Sequence, residues 1–268
     1  MAITLDWAGV LTGQPANWLL SGLLTTVYVT VAGCLLASVV AVILLGLTIA
    51  PGRFGRYAAG GFVEVFMNTP LLVQLLFWYF AAYGLLPQSW RFFIAADHRW
   101  AVLPVNVIVL APEFLCAAWG LGLFIAVYLT EELRAGLNAV PKGQTEAAVA
   151  QGLGHWQMLR FVLLPQALVN AWQPLVGQYL NLMKLSSLAT GIGLAELTSQ
   201  VRRIESYNAH ALEAFAVGTA LYLGLGLAMA QLLLLFGPKR QGTKQPKTAL
   251  ATLGKVIAAP VPGASRGA

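Results

Sequence analysis

The chain consists of long apolar segments that are separated by shorter polar loops. A helix of about 20 apolar residues crosses the hydrocarbon core of a bilayer, which is about 30 Å thick. The first apolar segment is the longest and is expected to protrude at one end. The pattern predicts an all-α, polytopic membrane helix bundle with about five transmembrane helices, at residues 18–47, 62–86, 112–130, 164–185 and 210–236.

Prolines mark the ends and the weak points of these segments. Pro87 closes the second segment. Pro112 suits a helix start, because the first turn needs no N–H donor at that position. The fourth segment is less apolar than the others and is expected to be interrupted by Pro165 and Pro174.

Composition supports a membrane protein. Hydrophobic residues make up 58% of the 268 residues and charged residues only 10%, whereas soluble domains carry about 25% charged residues. This excludes an ordinary water-soluble globule and a disordered chain. The two cysteines lie inside apolar runs and the three histidines lack ligand spacing, so we expect neither a disulfide framework nor a metal site.

The net charge of +6 comes from one region. Residues 239–268 contain six basic residues and no acidic one, while the charges of residues 1–238 cancel. We therefore predict a transmembrane domain over residues 1–238 and a basic, disordered cytoplasmic tail over residues 239–268. The start of this tail suits contact with the lipid bilayer, and the charge does not indicate nucleic-acid binding.

The distribution of basic residues predicts the orientation. With the N-terminus outside, eleven Lys and Arg residues lie on the cytoplasmic side and four on the outer side. Cytoplasmic loops normally carry such an excess. No Lys or Arg precedes Arg53, so a cleavable signal peptide with a basic start is not expected. The chain is predicted to run from an outer N-terminus to a cytoplasmic C-terminus.

The fourth segment carries a polar stripe. Its members recur every three or four residues and, at about 100° per residue, stay within an arc of about 80°: Gln166, Asn170, Gln173, Gly177, Asn181 and Lys184. Polar side chains are costly in hydrocarbon, so this face must point into the bundle or into water. It is interpreted either as a solute path or as interhelical hydrogen bonding. Asn68 is a further candidate for the path.

The loop at about residues 134–163 predicts a short helix between the third and fourth segments. Pro141 can begin it, and Gly152 and Gly154 can end it about ten residues later. It is too polar to span a membrane and too short to be stable alone in water. A partner protein is therefore expected to hold it.

This loop carries a specific motif. The tripeptide Glu146-Ala147-Ala148 is followed three residues later by Gly152, and Val162-Leu163-Leu164-Pro165 comes after nine more residues. The pattern resembles the EAA loop of ABC importer permeases, EAA-x3-G-x9-I-x-L-P, with valine in place of isoleucine. The resemblance implies a type I ABC importer permease fold with a cytoplasmic coupling helix. In it, Glu146, Ala147, Ala148 and Gly152 dock into a groove of a separate ATPase subunit.

Further segments are similar to the polar amino-acid uptake branch of that family, which includes histidine, glutamine, glutamate and aspartate systems. They cover residues 68–74, 140–144, 164–167 and 184–193, and residues 207–215 look most like glutamate/aspartate permeases. The resemblance implies a bacterial inner (cytoplasmic) membrane protein that transports a polar amino acid. The implied partners are two ATPase subunits that hold ATP and Mg, a related second permease chain and an extracytoplasmic solute-binding protein.

The chain lacks a G-x-x-x-x-G-K-[ST] phosphate loop and a catalytic constellation, so we expect no enzyme activity and no cofactor on this chain.

Two other interpretations remain. An ion-coupled secondary amino-acid transporter would act without an ATPase. A non-transporting membrane scaffold subunit would use the polar stripe only for fixed helix contacts.

Overall fold

The computed structural model describes residues 5–50, 52–96, 98, 101–104 and 107–238, and the expectations for residues 239–268 lie outside this part. The fold is helical, with one antiparallel pair of strands, β1 (Val102–Leu103) and β2 (Val107–Ile108). The α-helices are α1 (Ala8–Leu11), α2 (Gly13–Ile49), α3 (Arg53–Met67), α4 (Leu71–Leu76), α5 (Gln88–Ala95), α6 (Pro112–Asn138), α7 (Lys142–Ala150), α8 (His155–Met158), α9 (Leu164–Leu185), α10 (Leu197–Asn208) and α11 (Ala211–Leu235).

Of the five predicted spans, three are present as single helices of sufficient length and hydropathy in the described residues. In the described part of the chain, α2, α6 and α11 are each long and apolar enough to cross a membrane. A fourth span results when α3 and Leu71–Leu85 are taken as one bent helix pair. α9 has 22 residues, which suffices for a crossing, but its polar stripe lowers its hydropathy. Its crossing of the membrane stays a prediction.

The second span differs from the prediction of one helix over residues 62–86. α3 and Leu71–Leu85 meet at 105°, because Asn68, Thr69 and Pro70 interrupt the helix. Pro70 has no N–H to donate to the preceding turn. The side chain of Gln74 closes the bend by donating from Nε2 to the carbonyls of Phe66 (3.0 Å) and Thr69 (3.1 Å).

The core lies between α2, α6 and α9. Its largest buried side chains include Leu121, Ile125 and Leu129 of α6 and Leu182 of α9. α6 and α9 approach so closely that a Cβ on Gly136 would lie 2.5 Å from the carbonyl oxygen of Ala167. Small residues at helix contacts permit this kind of backbone approach.

The predicted interruption of the fourth helix is wrong. α9 is continuous, with Pro165 in its first turn and Pro174 inside it. Pro165 costs little there, because the first turn has unpaired N–H groups in any case. Pro174 removes one internal hydrogen bond, and the packing of α9 against α6 and α2 holds the helix together. The irregular backbone lies just before α9 instead, in a π-helical segment at Leu159–Leu163.

α10 is a helix that the hydrophobic pattern does not reveal. Its N-terminal cap is Glu196, a fully buried carboxylate that accepts hydrogen bonds from the backbone N–H groups of Thr198 and Ser199. The hydroxyls of Thr190 (2.5 Å) and Tyr222 (2.7 Å) also donate to it. Since four donors surround the carboxylate, Glu196 ties α10 to α11 and to the 3-10 segment Ser186–Ile192.

Candidate coupling loop and polar transport face

The predicted short helix of the loop is present as α7. It follows Pro141, whose carbonyl accepts from the N–H of Gln144 at 2.9 Å. At its end Gly152 has a φ of +78°, and its N–H donates to Val149 while that of Leu153 donates to Ala148. These two bonds form the Schellman motif, in which glycine adopts the left-handed conformation at low cost. Gly152 therefore defines where the helix ends.

The motif residues point in different directions. Glu146 and Ala147 are exposed, and Glu146 has no ion-pair partner within the described residues. Ala148 is only 3% exposed and packs into the chain itself. The predicted set Glu146, Ala147, Ala148 and Gly152 thus divides into an outward pair, an inward alanine and a terminating glycine. Two large side chains of the loop are also exposed, Val149 of α7 at 61% and Trp156 of α8 at 65%.

A hydrogen bond connects α7 with α9. Nε2 of Gln166 donates to Oε1 of Gln144 at 3.3 Å and to the carbonyl of Val162 at 2.9 Å. Val162 lies in the π-helical segment Leu159–Leu163, and π-helical turns are frequently found at functional sites. Gln166 thus joins the loop helix, the π-helical segment and the first turn of the polar helix. The sequence places Gln144 and Gln166 in separate motifs but gives no sign that they touch.

The polar stripe of α9 lies on the surface of the chain. Gln166 is half-buried, and the other five members are exposed: Asn170, Gln173, Gly177, Asn181 and Lys184. Within the described residues, the side chains of Gln173, Asn181 and Lys184 have no hydrogen-bond partner, and Asn170 makes one long contact of 3.4 Å to the carbonyl of Gly136. Hydrogen bonding to other described helices of the same chain therefore does not account for Gln173, Asn181 and Lys184. Water or a second chain must cover it in the membrane.

Asn68, the further candidate for the path, differs from the exposed residues of the stripe because its side chain forms a local hydrogen bond. Its Nδ2 donates to the carbonyl of Glu64 at 2.8 Å, and its backbone N–H donates to the same oxygen. Asn68 therefore ends α3 at the bend of the second span. Nearby, the Oε1 atom of the buried Gln74 has no partner among the described residues.

No group of three or more His, Cys, Asp or Glu side chains in the described part of the chain is placed to hold a metal ion. The arrangement offers instead an exposed loop helix, a hydrogen bond from it to a transmembrane-length helix, and a polar face along that helix. Sequence reasoning missed Gln144 and Glu196. The polar character of both was visible, but Gln166 lies 22 residues from Gln144, and Tyr222, which joins Glu196 to α11, lies 26 residues from it.

The fold and this loop define a polytopic membrane protein with an exposed loop helix. Residues 42–242 match the family model described as the binding-protein-dependent transport system inner membrane component. The chain therefore belongs to this family, and the predicted resemblance to ABC importer permeases is confirmed.

The chain is also similar to individual members. It is 32% identical to the glutamate/aspartate import permease protein GltJ of Escherichia coli (strain K12) over 229 residues, covering 83% of this chain and 89% of that protein. It is 30% identical to the arginine transport system permease protein ArtQ of Bacillus subtilis (strain 168) over 227 residues, covering 85% of this chain and 93% of that protein. These matches cover nearly all of each relative.

A solved structure shows the same fold. The crystal structure of an amino acid ABC transporter with histidines superposes with a TM-score of 0.71 at 27% identity, over 87% of this chain and 98% of that chain. The predicted type I permease fold is confirmed by this likeness together with the family match.

Proposed function

We propose that the chain is the permease subunit of an ATP-driven, binding-protein-dependent importer of polar amino acids, and that its solute is glutamate or aspartate. The observation that carries this proposal is the link from the exposed helix α7, through Gln144 and Gln166, to the polar face of α9. The similar proteins are named as amino-acid permeases, which supports an amino acid as the solute, and the name of GltJ supports an acidic one.

The proposed mechanism separates energy conversion from transport. Two ATPase subunits bind ATP and Mg, and this chain carries neither cofactor nor catalytic residues. Glu146 and Ala147 of α7 dock against one ATPase subunit, while Gly152 fixes the helix end. When the ATPases close, α7 moves, and the Gln144–Gln166 contact transmits this movement to α9. Rigid-body switching of this kind alternates the access of a transport path between the two sides.

The polar stripe of α9 is the proposed translocation face. A second, related permease chain covers it, so that the solute passes between the two chains along Gln166, Asn170, Gln173, Asn181 and Lys184. Lys184 brings a positive charge to the end of this face, which suits an anionic amino acid. Asn68 takes part in the path only if the bend of the second span opens, because its amide now caps α3.

The proposed orientation follows the distribution of basic residues. The chain lies in the bacterial inner membrane with its N-terminus outside and its C-terminus in the cytoplasm. α7 then faces the ATPases, and α10 lies on the outer side, where an extracytoplasmic solute-binding protein delivers the amino acid. The name of the matching family, an inner membrane component, supports the location.

The proposal is tested by purifying the full-length chain from its native membranes with an affinity tag. We expect an ATPase and a second permease chain to copurify. Mass spectrometry of the solute-binding protein of the same system should identify its bound amino acid. A chain that purifies without an ATPase and still transports would indicate the ion-coupled secondary transporter. A copurifying complex without transport would indicate the scaffold subunit.

The Gln144–Gln166 contact predicts a specific coupling defect. Replacing Gln144 by leucine removes one neutral hydrogen bond, worth about 1 kcal/mol, and should lower the uptake per ATP hydrolysed by roughly fivefold. Gln166→Leu should lower this ratio at least as much, because it breaks the same contact and also the bond to the carbonyl of Val162. Uptake and ATPase activity are measured in parallel in proteoliposomes.

Gln151→Leu serves as the control, since Gln151 is exposed just beyond α7 and its side chain makes no hydrogen bond among the described residues. Equal coupling ratios in Gln144→Leu and the unmodified chain would contradict a role for the contact.

A further inference from the structure

An apolar groove of about 650 Å³ runs between α2, α9 and α11 and belongs to neither the loop nor the polar stripe. Side chains of all three helices line it, and most of them are apolar, with hydroxyl groups only on Thr30, Ser38 and Tyr179. Val31 and Leu35 of α2 and Leu232 of α11 form its rim and are 53%, 65% and 55% exposed. The groove is therefore open to whatever surrounds the chain.

The groove has the length of one leaflet of a bilayer. On α9 its lining extends from Trp172 to Met183, which corresponds to about 16 Å at about 1.5 Å per residue. Half of the hydrocarbon core measures about 15 Å. Two of the three helices that border the groove, α2 and α11, are long and apolar enough to span a membrane. The groove thus lies parallel to the acyl chains of one leaflet.

The groove faces away from the polar stripe. Trp172, Tyr179 and Met183 lie roughly opposite the stripe when the residues of α9 are placed at about 100° intervals. The groove therefore opens on a different side of the chain from the stripe, and its exposed rim on α2 and α11 is apolar. An empty apolar groove leaves its walls without van der Waals partners, and a flexible hydrocarbon chain restores those contacts.

We propose that this groove binds one acyl chain of a phospholipid, in the leaflet where α11 ends. The occupied groove fills the gap between α11 and the α2–α9 pair. The acyl chain would add apolar contacts to α11, of which little is buried within the chain. The proposal does not rest on the amino-acid substrate or on the ATPase partners.

The test uses the full-length chain, with the subunits that copurify with it, in nanodiscs that contain phospholipid brominated along its acyl chains. Bromine quenches the fluorescence of a nearby tryptophan. The contribution of Trp172 to the total tryptophan fluorescence is obtained as the difference between the unmodified chain and Trp172→Phe. We expect at least half of this contribution to be quenched. Ala228→Phe places a ring in the groove and should reduce the quenching at least threefold.

Ala220→Phe is the matched control, because Ala220 is also exposed on α11 but does not line the groove, and it should leave the quenching unchanged. Native mass spectrometry should find one retained phospholipid per chain in the unmodified protein and in Ala220→Phe, and fewer in Ala228→Phe. Absence of quenching in the unmodified chain would overturn the proposal in favour of a protein helix in the groove. Equal quenching or equal lipid retention in both phenylalanine variants would also overturn it.

Discussion

Replacing Gly152 by valine is expected to reduce uptake by at least tenfold while the chain still assembles with its partners. Gly152 has a φ of +78°, a region that a β-branched residue avoids at a cost of about 2 kcal/mol. Nothing lies within 4 Å of a Cβ at this position, so the effect comes from the backbone and not from a clash. Opening of the helix end displaces Glu146 and Ala147 from their docking position. Uptake and stimulated ATPase activity in proteoliposomes measure the loss.

Gly143→Val is the matched control, because Gly143 also has open space around it but lies within α7 at an ordinary helical φ. Valine is no worse than glycine inside a helix. We expect Gly143→Val to keep most of its coupling. Normal coupling in Gly152→Val, or equal losses in both variants, would contradict the assigned role of the helix end.

Replacing Gln173 or Asn181 by leucine should lower transport by about 10- to 100-fold without preventing assembly. Both side chains are exposed on the polar face and lack hydrogen-bond partners within the described residues, so their loss leaves no buried group unpaired in the chain. A lost polar contact with a charged solute costs about 1.5 to 3 kcal/mol, and each 1.4 kcal/mol changes a rate tenfold. Initial uptake rates of the reconstituted complex provide the measurement.

Two controls separate transport from folding. Gln231→Leu makes the same change as Gln173→Leu at an exposed position of α11, away from the polar face, and should leave uptake unchanged. Gln173→Asn and Asn181→Gln retain the amide and should recover part of the rate. Unchanged uptake in both leucine variants would exclude a path along this face.

Local sequence signals predicted much of this structure. The proline at position 112 begins α6, the fourth segment is helical over Leu164–Leu185 as expected, and Gly152 ends the loop helix. In each case the determining feature is a helix start or stop signal, which acts within one turn. The family motif added the proposed docking role of the loop, which no local propensity indicates.

Features that depend on distant contacts were not predictable in the same way. The bend at Asn68–Pro70 is closed by Gln74, and α10 is held by the buried Glu196 and by Tyr222 of α11. Ala148 faces the interior of the chain and not its surface, which a tripeptide motif does not reveal. α9 stays continuous at Pro174 because its neighbours compensate for the lost hydrogen bond. These outcomes depend on tertiary packing, which overrides local propensity.

The central claim, that this chain transports an amino acid only when an ATPase drives it, is tested most directly by uptake into proteoliposomes. They contain the purified complex and enclosed ATP and Mg, with the solute-binding protein and radiolabelled glutamate or aspartate outside. We expect accumulation that requires both the enclosed ATP and the binding protein and that persists when ion gradients are dissipated. Accumulation without ATP, driven by an ion gradient, would contradict the proposed function.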